Sequence, residues 1–316
     1  MTRTTSSAVR IAFLLSELNA VLDRNDLART IDVARMAEDN GIDDVIVGEH
    51  IAMGPHAARD GLPENARAFM SPWHQRPDNP QLEGPTTLAA IAGATSRVRL
   101  VAAALLGALR HPVVMAKQLA SLDMLSGGRL VVMPSVSWQP EESEACGVPF
   151  KSRGRVLDDA IGAWQALWGE QPASFKSDSF SFENVWCQPA PTRPGGPPMW
   201  FGGSSLHKRA LDRIVRCGSG FFPEYYVIDD DWSRLDAALA SAGRSRDELE
   251  LVTGILPALS PGDRSAKLTD STEILELQLA QGFRTFVVNP AQFVETVEEI
   301  PAFTQDLHRL MTRSLP

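Results

Sequence analysis

The sequence predicts an α/β protein built as one closed (β/α)₈ barrel. Short β-branched or apolar runs alternate with longer stretches of 3.6-residue periodicity along the whole chain. Eight such units are present in the 316 residues, and strictly alternating strands and helices produce a parallel sheet. Eight units over roughly 250 residues or more match a closed barrel. A doubly wound open sheet is the competing architecture, since it uses the same alternation.

Each predicted strand is a short run of apolar or β-branched residues. In chain order the strands cover residues 10–15, 44–47, 98–104, 130–133, 199–201, 220–222, 250–255 and 285–288. The helix over residues 26–40 has the clearest pattern, because its apolar positions 27, 31, 33, 34 and 37 share one face and Gly41 supplies a stop. The other helices are predicted to begin near Pro85, Pro112, Val156, Ser205, Asp230, Ser271 and Ala291.

Two insertions interrupt this rhythm within the predicted barrel domain, which spans residues 1–316. The first covers about residues 51–81, after strand 2, and has no clear period. The second covers about residues 169–198, before strand 5, and its aromatic-rich and proline-rich parts predict a small hairpin. Long loops in compact domains are usually either functional or disordered. We therefore expect substrate selectivity to reside in these insertions.

Composition and charge exclude several classes of protein. The 39 acidic residues and 30 basic residues give a net charge of −9, which argues against nucleic acid or an anionic membrane as a partner. The three cysteines form neither a disulfide pattern nor a zinc-binding pattern. The longest apolar run, residues 100–109, has ten residues, whereas a membrane helix needs about twenty. We therefore expect a cytoplasmic protein with no membrane span.

Residues that follow the strands matter most, because the carboxyl ends of barrel strands build the active face. Strand 2 is followed by Glu49 and His50, a carboxylate beside an imidazole that suits proton transfer. The alternative is that these two side chains only hold a loop. Strand 4 is followed by Trp138 and Glu142. The Trp138 indole could flank a flat ring, or it could only cap the barrel. Glu142 could order the loop.

Two further strand ends are candidates for binding. Strand 3 ends in Ala103 and Ala104, whose small side chains leave room for a planar ligand, although alanine-rich packing is the alternative. The turn after strand 5 consists of Gly202, Gly203, Ser204 and Ser205. Backbone N–H groups at a helix start suit a phosphate, although a tight turn alone would also explain the glycines.

The six histidines show no metal-binding spacing. A metal-dependent barrel hydrolase would need Glu49, His50 and His74 to converge, which requires the first insertion to fold back. We expect no metal, and the hydrolase is kept as an alternative.

Four segments, in the same order and on the same elements, resemble the bacterial luciferase-like monooxygenase superfamily, and within it the oxidoreductases that use coenzyme F420. They are AEDNGIDDVIVGEH (37–50), RHPVVMAKQLASLDMLSGGRL (110–130), GVPFKSRG (147–154) and PGGPPMWFGGSS (194–205). The resemblance extends from residue 10 to about residue 310. It implies a TIM barrel with a deazaflavin or flavin ring across its carboxyl-terminal mouth. It also implies an oxidoreductase that performs hydride transfer or monooxygenation on a small organic substrate.

The resemblance further implies roles for individual residues. His50 would transfer a proton beside the ring, with Glu49 next to it where several relatives have aspartate. Ala103 and Ala104 fall where relatives often have a bulge with a non-prolyl cis peptide behind the ring. The remaining implied cofactor contacts are the acidic Glu142, the aromatic Trp138, and the phosphate-binding turn of Gly202, Gly203, Ser204 and Ser205.

Two departures from the family pattern bear on the cofactor. Relatives usually have GVGxGW at strand 4, whereas residues 133–138 read MPSVSW here, which adds side chains where the cofactor would lie. At strand 6 the usual aspartate is replaced by Ser219. The resemblance implies coenzyme F420, with FMN as the alternative, in a homodimer. A catalytically silent relative that binds ligand or dimerises without turnover is the alternative function.

Overall fold

The computed structural model describes residues 8–62, 64–65, 67–68, 76–203, 205–223, 229–257 and 259–314. Eight parallel strands form its main sheet: β1 (Arg10–Leu14), β2 (Asp44–Val47), β3 (Arg99–Leu105), β4 (Leu130–Pro134), β7 (Trp200–Gly203), β8 (Gly220–Pro223), β9 (Glu250–Gly254) and β10 (Thr285–Val288). Their spatial order is β4-β3-β2-β1-β10-β9-β8-β7. Each predicted strand lies within one or two residues of an observed strand.

The two ends of this sheet meet, so the barrel is nearly closed. Val132 of β4 forms a parallel bridge with Met199, and its N–H donates to the carbonyl oxygen of Pro198 at 3.0 Å. The predicted (β/α)₈ barrel is confirmed, and an open sheet does not account for this bridge.

Helices follow the strands along the chain. They are α1 (Arg29–Asp39), α2 (Gly84–Ala94), α3 (Pro112–Leu125), α4 (Pro140–Ala145), α5 (Arg153–Trp168), α6 (Lys208–Cys217), α7 (Asp229–Ser241), α8 (Thr272–Ala280) and α9 (Ile300–Ser314). Pro85 and Pro112 lie in the first turns of α2 and α3, where a missing N–H costs no hydrogen bond. None of the helices described is long and apolar enough to cross a membrane.

The predicted starts of α1, α5 and α6 each lie three residues from the observed ones, and that of α9 lies nine residues away. α6 begins at Lys208 rather than near Ser205, because His207 occupies the cap position and accepts the Ala210 N–H. α9 begins at Ile300 rather than near Ala291, because residues 290–292 form only a short 3₁₀ turn. The turn after β7 therefore lies before α6 and not in its first turn.

The strands are buried on both faces. Residues such as Ala12 and Trp200 belong to a cluster inside the barrel, whereas their neighbours, such as Phe13, pack in the larger cluster that includes the helices. Trp200 is fully buried, and a Cβ added to Gly220 would lie 2.2 Å from its Cδ1 atom. Glycine is therefore required at the start of β8, because the Trp200 indole occupies the space that a side chain would need.

Buried ion pairs join the amino-terminal ends of the strands. Asp44 at the start of β2 is fully buried and accepts hydrogen bonds from Arg10 of β1 at 2.6 Å and from Arg99 of β3 at 2.6 and 2.7 Å. Arg99 also donates to Glu250 of β9 at 2.6 and 2.9 Å. This network lies at the opposite ends of the strands from His50, where barrel residues contribute to stability rather than to catalysis.

The second insertion contains the predicted hairpin, formed by β5 (Ala173–Lys176) and β6 (Ser181–Val185) in antiparallel orientation. Phe175 and Phe182 stack across it with ring centroids 5.9 Å apart. In the first insertion, the part that the structure describes contains a short 3₁₀ helix at Pro55–Ala58.

Candidate active site

The ends of β2 and β4 are joined by a contact between His50 and Glu142. The His50 side chain is 12% exposed, and its Nδ1 atom lies 3.0 Å from Oε2 of Glu142. Glu142 lies on α4, 92 positions away in sequence. A carboxylate can only accept, so this hydrogen bond places a proton on Nδ1 and leaves Nε2 of a neutral imidazole as an acceptor.

Both carboxylate oxygens of Glu142 are satisfied although the residue is fully buried. Oε1 accepts the N–H groups of Ile51 at 2.5 Å and Ala52 at 3.1 Å, and Oε2 also accepts the Ser137 hydroxyl at 2.5 Å. Burial alone would raise the pKa of Glu142, but the hydrogen bonds from His50 and Ser137 hold that pKa below its usual value. The carboxylate is therefore ionised at neutral pH and orients the imidazole.

Ser137 stands at one of the positions where the family pattern has glycine. Its side chain is fully buried in the turn between β4 and α4, where the hydroxyl donates to Glu142 and accepts the Gln139 N–H at 2.9 Å. The side chain added here therefore supports the carboxylate, which differs from the expectation that it fills cofactor space. Ser135 is partly buried, with its hydroxyl 3.4 Å from the Met133 carbonyl oxygen.

Glu49 is committed to an ion pair. The Arg110 guanidinium donates to its two oxygens at 2.6 and 2.7 Å, and the N–H groups of Leu106 and Gly84 each donate at 3.0 Å. The Glu49 side chain is 1% exposed. Because four donors already occupy the carboxylate, we assign it the loop-holding role rather than proton transfer. Among the described residues, Nδ1 is the His50 ring nitrogen that forms a hydrogen bond, which leaves Nε2 for proton transfer.

The peptide between Ala103 and Ala104 is cis, as the resemblance implied. The pairing register of β3 with β4 shifts between Ala102 and Leu105, which marks the bulge. Gly48 lies directly against this peptide, since a Cβ added to it would be 2.7 Å from the Ala103 carbonyl oxygen. A side chain at residue 48 would displace the bulge, so glycine is required between β2 and His50.

Trp138 lies beside His50. The two ring centroids are 5.4 Å apart with an interplanar angle of 85°, so the rings meet edge to face. This contact, the His50–Glu142 pair and the cis peptide belong to three neighbouring strand ends. Aromatic and polar groups at neighbouring strand ends are typical of the places where α/β proteins bind ligands.

The turn after β7 has a backbone that is open to a ligand. Gly203 has φ of +126°, and among the described residues no heavy atom lies within 4 Å of a Cβ added there. Gly202 instead packs against the Phe222 carbonyl oxygen, which a Cβ would approach to 1.7 Å. Ser205 is exposed, and Ser204 lies outside the described residues. Gly203 is thus the position where a phosphate has free access to the backbone.

Two basic residues follow this turn at the start of α6, and each is paired. Lys208 donates to the Asp212 carboxylate at 2.7 and 3.0 Å, and Arg209 donates to Asp158 of α5 at 2.6 Å. Arg153, at the start of α5, donates to the carbonyl oxygens of Ser137 at 2.8 Å and Phe150 at 2.6 Å.

The structure also reveals site residues that the sequence did not suggest. Glu17 follows β1 and Asn289 follows β10, and the Asn289 amide lies 3.4 Å from the Glu17 carboxyl group. Burial raises the pKa of Glu17, and the Asn289 hydrogen bond only partly opposes this effect. The sequence offers one signal for Glu17 and Asn289: each is a polar residue that follows a predicted strand, as His50 is.

No group of three or more His, Cys, Asp and Glu side chains is arranged to hold a metal ion among the residues that the structure describes. Of the hydrolase residues considered above, Glu49 is paired with Arg110 and His50 with Glu142. His74 lies outside the described residues.

Comparisons with known proteins agree with this geometry. The family described as luciferase-like monooxygenase matches residues 10–306. An uncharacterized protein of Mycobacterium tuberculosis is 29% identical over 221 residues, which are 67% of this chain and 73% of that protein. An FMNH₂-dependent dimethylsulfone monooxygenase of Pseudomonas putida is 30% identical over 165 residues, which are 51% of this chain and 45% of that enzyme.

Solved structures share the fold at low identity. An F420-dependent secondary alcohol dehydrogenase, in complex with an F420-acetone adduct, aligns with a TM-score of 0.71 and 15% identity over 94% of this chain and 98% of that one. EDTA monooxygenase from Chelativorans sp. aligns with a TM-score of 0.72 and 13% identity over 97% and 94%. Because the family match spans nearly the whole barrel, the chain belongs to the luciferase-like monooxygenase family.

Proposed function

We propose that this protein is an oxidoreductase that acts on a small organic substrate at the barrel mouth, with coenzyme F420 as its cofactor and FMN as the alternative. The observation that carries the proposal is the His50–Glu142 pair beside the cis Ala103–Ala104 peptide. It offers a proton-transfer group at the carboxyl ends of the strands, where barrel enzymes bind their ligands. The related enzymes named above use cofactors of both kinds.

In this proposal, some residues bind the cofactor and others transfer a proton. The cofactor, when bound, supplies hydride transfer as a deazaflavin or oxygen activation as a reduced flavin. Nε2 of His50 accepts a proton from the substrate hydroxyl, or returns one to a carbonyl oxygen, while Glu142 stabilises the charged imidazole. Trp138 excludes water on the His50 side. The backbone at Gly203 would hold the cofactor phosphate.

Cofactor titration tests the proposal. The protein is titrated with coenzyme F420 and with FMN, each oxidised and reduced, and binding is followed by fluorescence. We expect the reduced or oxidised form of at least one cofactor to bind, with F420 the tighter. Riboflavin is the matched control for FMN, because it has the same ring without the phosphate, and we expect it to bind at least about tenfold more weakly. Binding of neither cofactor would refute the proposal.

A catalytically silent relative is the less favoured function. Its support was the loss of glycine at strand 4, and one of those changes has a structural role, because the buried Ser137 hydroxyl donates to Glu142. The double substitution Ser135→Gly with Ser137→Gly distinguishes the two functions. A large gain in cofactor affinity in this variant would favour the silent relative, whereas tight binding by the unaltered chain argues for the enzyme.

We also propose a homodimer that uses α2 and α3. The outward side of α3 carries Val114, Met124 and Leu125, which are 55%, 48% and 75% exposed, and the outward side of α2 carries Ala89, Ala90 and Gly93. An apolar face of this kind favours a protein partner. Sedimentation velocity of the wild type and of Leu125→Glu tests it, since the charge would dissociate such a dimer.

A cytoplasmic location without a nucleic-acid partner completes the proposal. It is supported by the net charge of −9 and by Cys146, Cys187 and Cys217, which are free thiols as expected in a reducing compartment.

A further inference from the structure

Ser137 donates to the same carboxylate oxygen that His50 contacts. The Ser137 hydroxyl lies 2.5 Å from Oε2 of Glu142, and Nδ1 of His50 lies 3.0 Å from that oxygen. Ser137 and Glu142 are both fully buried, which shields the bond between hydroxyl and carboxylate from water and strengthens it. Two donors, one from the end of β2 and one from the turn between β4 and α4, therefore meet at one oxygen.

The surrounding backbone directs the Ser137 hydroxyl proton toward Glu142. The hydroxyl oxygen accepts the Gln139 N–H at 2.9 Å, and a hydroxyl has a single proton to donate. The Gln139 carbonyl oxygen is 3.3 Å away, whereas Oε2 of Glu142 is 2.5 Å away. On its other side, the Ser137 carbonyl oxygen accepts Nε of Arg153 at 2.8 Å. The serine is thus fixed at both ends, and its proton lies on the short bond to the carboxylate.

Four donors are bonded to the Glu142 carboxylate. Oε1 accepts the N–H groups of Ile51 at 2.5 Å and Ala52 at 3.1 Å, and Oε2 accepts Ser137 and His50. Burial raises the pKa of Glu142, but the hydrogen bonds from His50 and Ser137 outweigh burial and hold that pKa below its usual value. A carboxylate whose charge is spread over four donors stabilises an imidazolium less strongly than one whose Oε2 serves the imidazole alone.

The other charged or titratable side chains near this pair lie on three neighbouring elements. They are Arg110 after β3, paired with Glu49; Glu141 on α4, paired with His56; Cys146, also next to α4; and Arg153 on α5, which donates to backbone carbonyl oxygens. Burial raises the pKa of Cys146, so its thiol is uncharged at pH 7. The charge that Glu142 presents to His50 therefore depends mainly on the donors at its own oxygens, because electrostatic effects weaken with distance.

We propose that Ser137 is a positioning residue that acts on His50 through Glu142. By fixing Oε2 and taking up part of its charge, the hydroxyl limits how firmly the imidazole retains a second proton, and so keeps Nε2 free to accept one from the substrate. This role rests on the proposed function, because it adjusts the same proton transfer. The family pattern has glycine at residue 137, so the serine adds a hydrogen bond to Glu142 that the pattern lacks.

NMR of the histidine ring nitrogens tests this role in the cofactor-free protein. The protein is labelled with ¹⁵N-histidine, and the His50 resonances are identified by their loss in His50→Gln and followed from pH 5 to pH 9. Ser137→Ala removes the hydroxyl, and Ser137→Cys keeps a similar volume but has only a weak S–H donor. Ser135→Ala is the matched control, because the Ser135 hydroxyl lies 3.4 Å from the Met133 carbonyl oxygen. Thermal unfolding of each variant confirms that it is folded.

We expect the midpoint of the His50 ring titration to rise by about half a pH unit to one unit in Ser137→Ala and Ser137→Cys, because a carboxylate with one donor fewer stabilises the imidazolium more strongly. Ser135→Ala should keep the wild-type midpoint. An unchanged or lower midpoint in Ser137→Cys would overturn the role of Ser137, since a loss of packing alone does not strengthen the bond between His50 and Glu142.

The wild type provides a test that needs no variant. Above the midpoint, the ¹⁵N resonances should show a protonated Nδ1 and an unprotonated Nε2 in His50. The opposite tautomer would overturn the role of Ser137, because Nδ1 would then not donate to Glu142.

These measurements separate the role of Ser137 from the proposed function. A raised midpoint in the Ser137 variants, together with failure of both cofactors to bind, would refute the proposed function and retain the coupling of Ser137 to His50. An unchanged midpoint with intact cofactor binding would refute the role of Ser137 alone.

Discussion

Two glutamates at neighbouring strand ends have opposite environments. Glu49, after β2, is 1% exposed and receives four hydrogen bonds, two of them from Arg110. Glu17, after β1, receives one long hydrogen bond from a neutral amide. A carboxylate in an ion pair stabilises the fold, whereas a carboxyl group without an ion pair keeps oxygen atoms that can bind a ligand. The partners of a side chain, and not its position after a strand, therefore decide its role.

The largest expected effect is on chemistry, at the residue directly after Glu49. His50→Ala should lower the turnover rate by roughly 10²- to 10⁴-fold, the usual contribution of a general acid or base. Its cofactor affinity should change little, because the proposed phosphate site is at the turn after β7. The measurement is single-turnover kinetics with the cofactor that binds. A rate within about threefold of the wild type would show that His50 does not transfer the proton.

The next effect is on the scaffold. Glu49→Gln should lower the free energy of unfolding by about 3 kcal/mol, because it removes the buried, doubly bonded counter-ion of Arg110 and leaves the guanidinium with only the more exposed Glu83. Urea denaturation measures this change. Glu83→Gln is the control, since Glu83 bonds the same guanidinium at 2.8 Å but is 34% exposed, and it should cost about 1 kcal/mol or less. Equal losses in the two variants would contradict the scaffold role of Glu49.

A third effect concerns the pH dependence of stability at Glu142. The pKa of Glu142 is lower in the folded state than its value of 4.5 in the unfolded chain. The ionised Glu142 therefore stabilises the fold fully above pH 4.5, and this stabilisation is lost as the pH falls through the pKa of the folded state. Glu142→Gln should lower the free energy of unfolding at pH 7 by about 2 kcal/mol, as expected for lost hydrogen bonds to a charged group. Urea denaturation from pH 7 to pH 3 should show the wild type approaching the variant. Parallel curves would refute this explanation.

The smallest effect has the opposite sign. The pKa of Glu17 is raised in the folded state, so ionisation costs stability as pH rises above the unfolded value. Glu17→Gln should therefore stabilise the fold by about 1 kcal/mol at pH 8, the gain typical of neutralising a strained functional residue. The difference should shrink toward pH 4, where both side chains are neutral. Destabilisation at pH 8 would indicate that Glu17 is paired in solution.

Local patterns in the sequence were sufficient for most of the fold. Strands 44–47 and 285–288 match the observed β2 and β10 residue for residue, because buried parallel strands are runs of apolar and β-branched residues. The starts of α6 and α9 were not predictable in the same way. α6 begins after the cap formed by His207, and α9 is preceded by a short 3₁₀ turn that follows Asn289. Such features involve only two or three residues, so the periodicity of the sequence does not reveal them.

The candidate site depended on contacts that sequence spacing does not encode. The pairing of Glu49 with Arg110 spans 61 positions and that of His50 with Glu142 spans 92. A sequence shows that a carboxylate follows a strand, but its charge state depends on what surrounds it. Ser137 illustrates the same limit, since a residue that the family pattern marks as an obstruction hydrogen-bonds to Glu142 in the folded chain.

The sequence by itself determined the eight-fold alternation of strands and helices, the positions of His50 and of the glycine turn, and the place of the Ala103–Ala104 bulge, because these follow from local periodicity and family motifs. Only the tertiary structure decided which carboxyl groups are neutralised. Closing the barrel brings Arg110 to Glu49 but leaves Glu17 with an amide. Electrostatic and desolvation energies depend on distances in space, and those distances exist only once the barrel has formed.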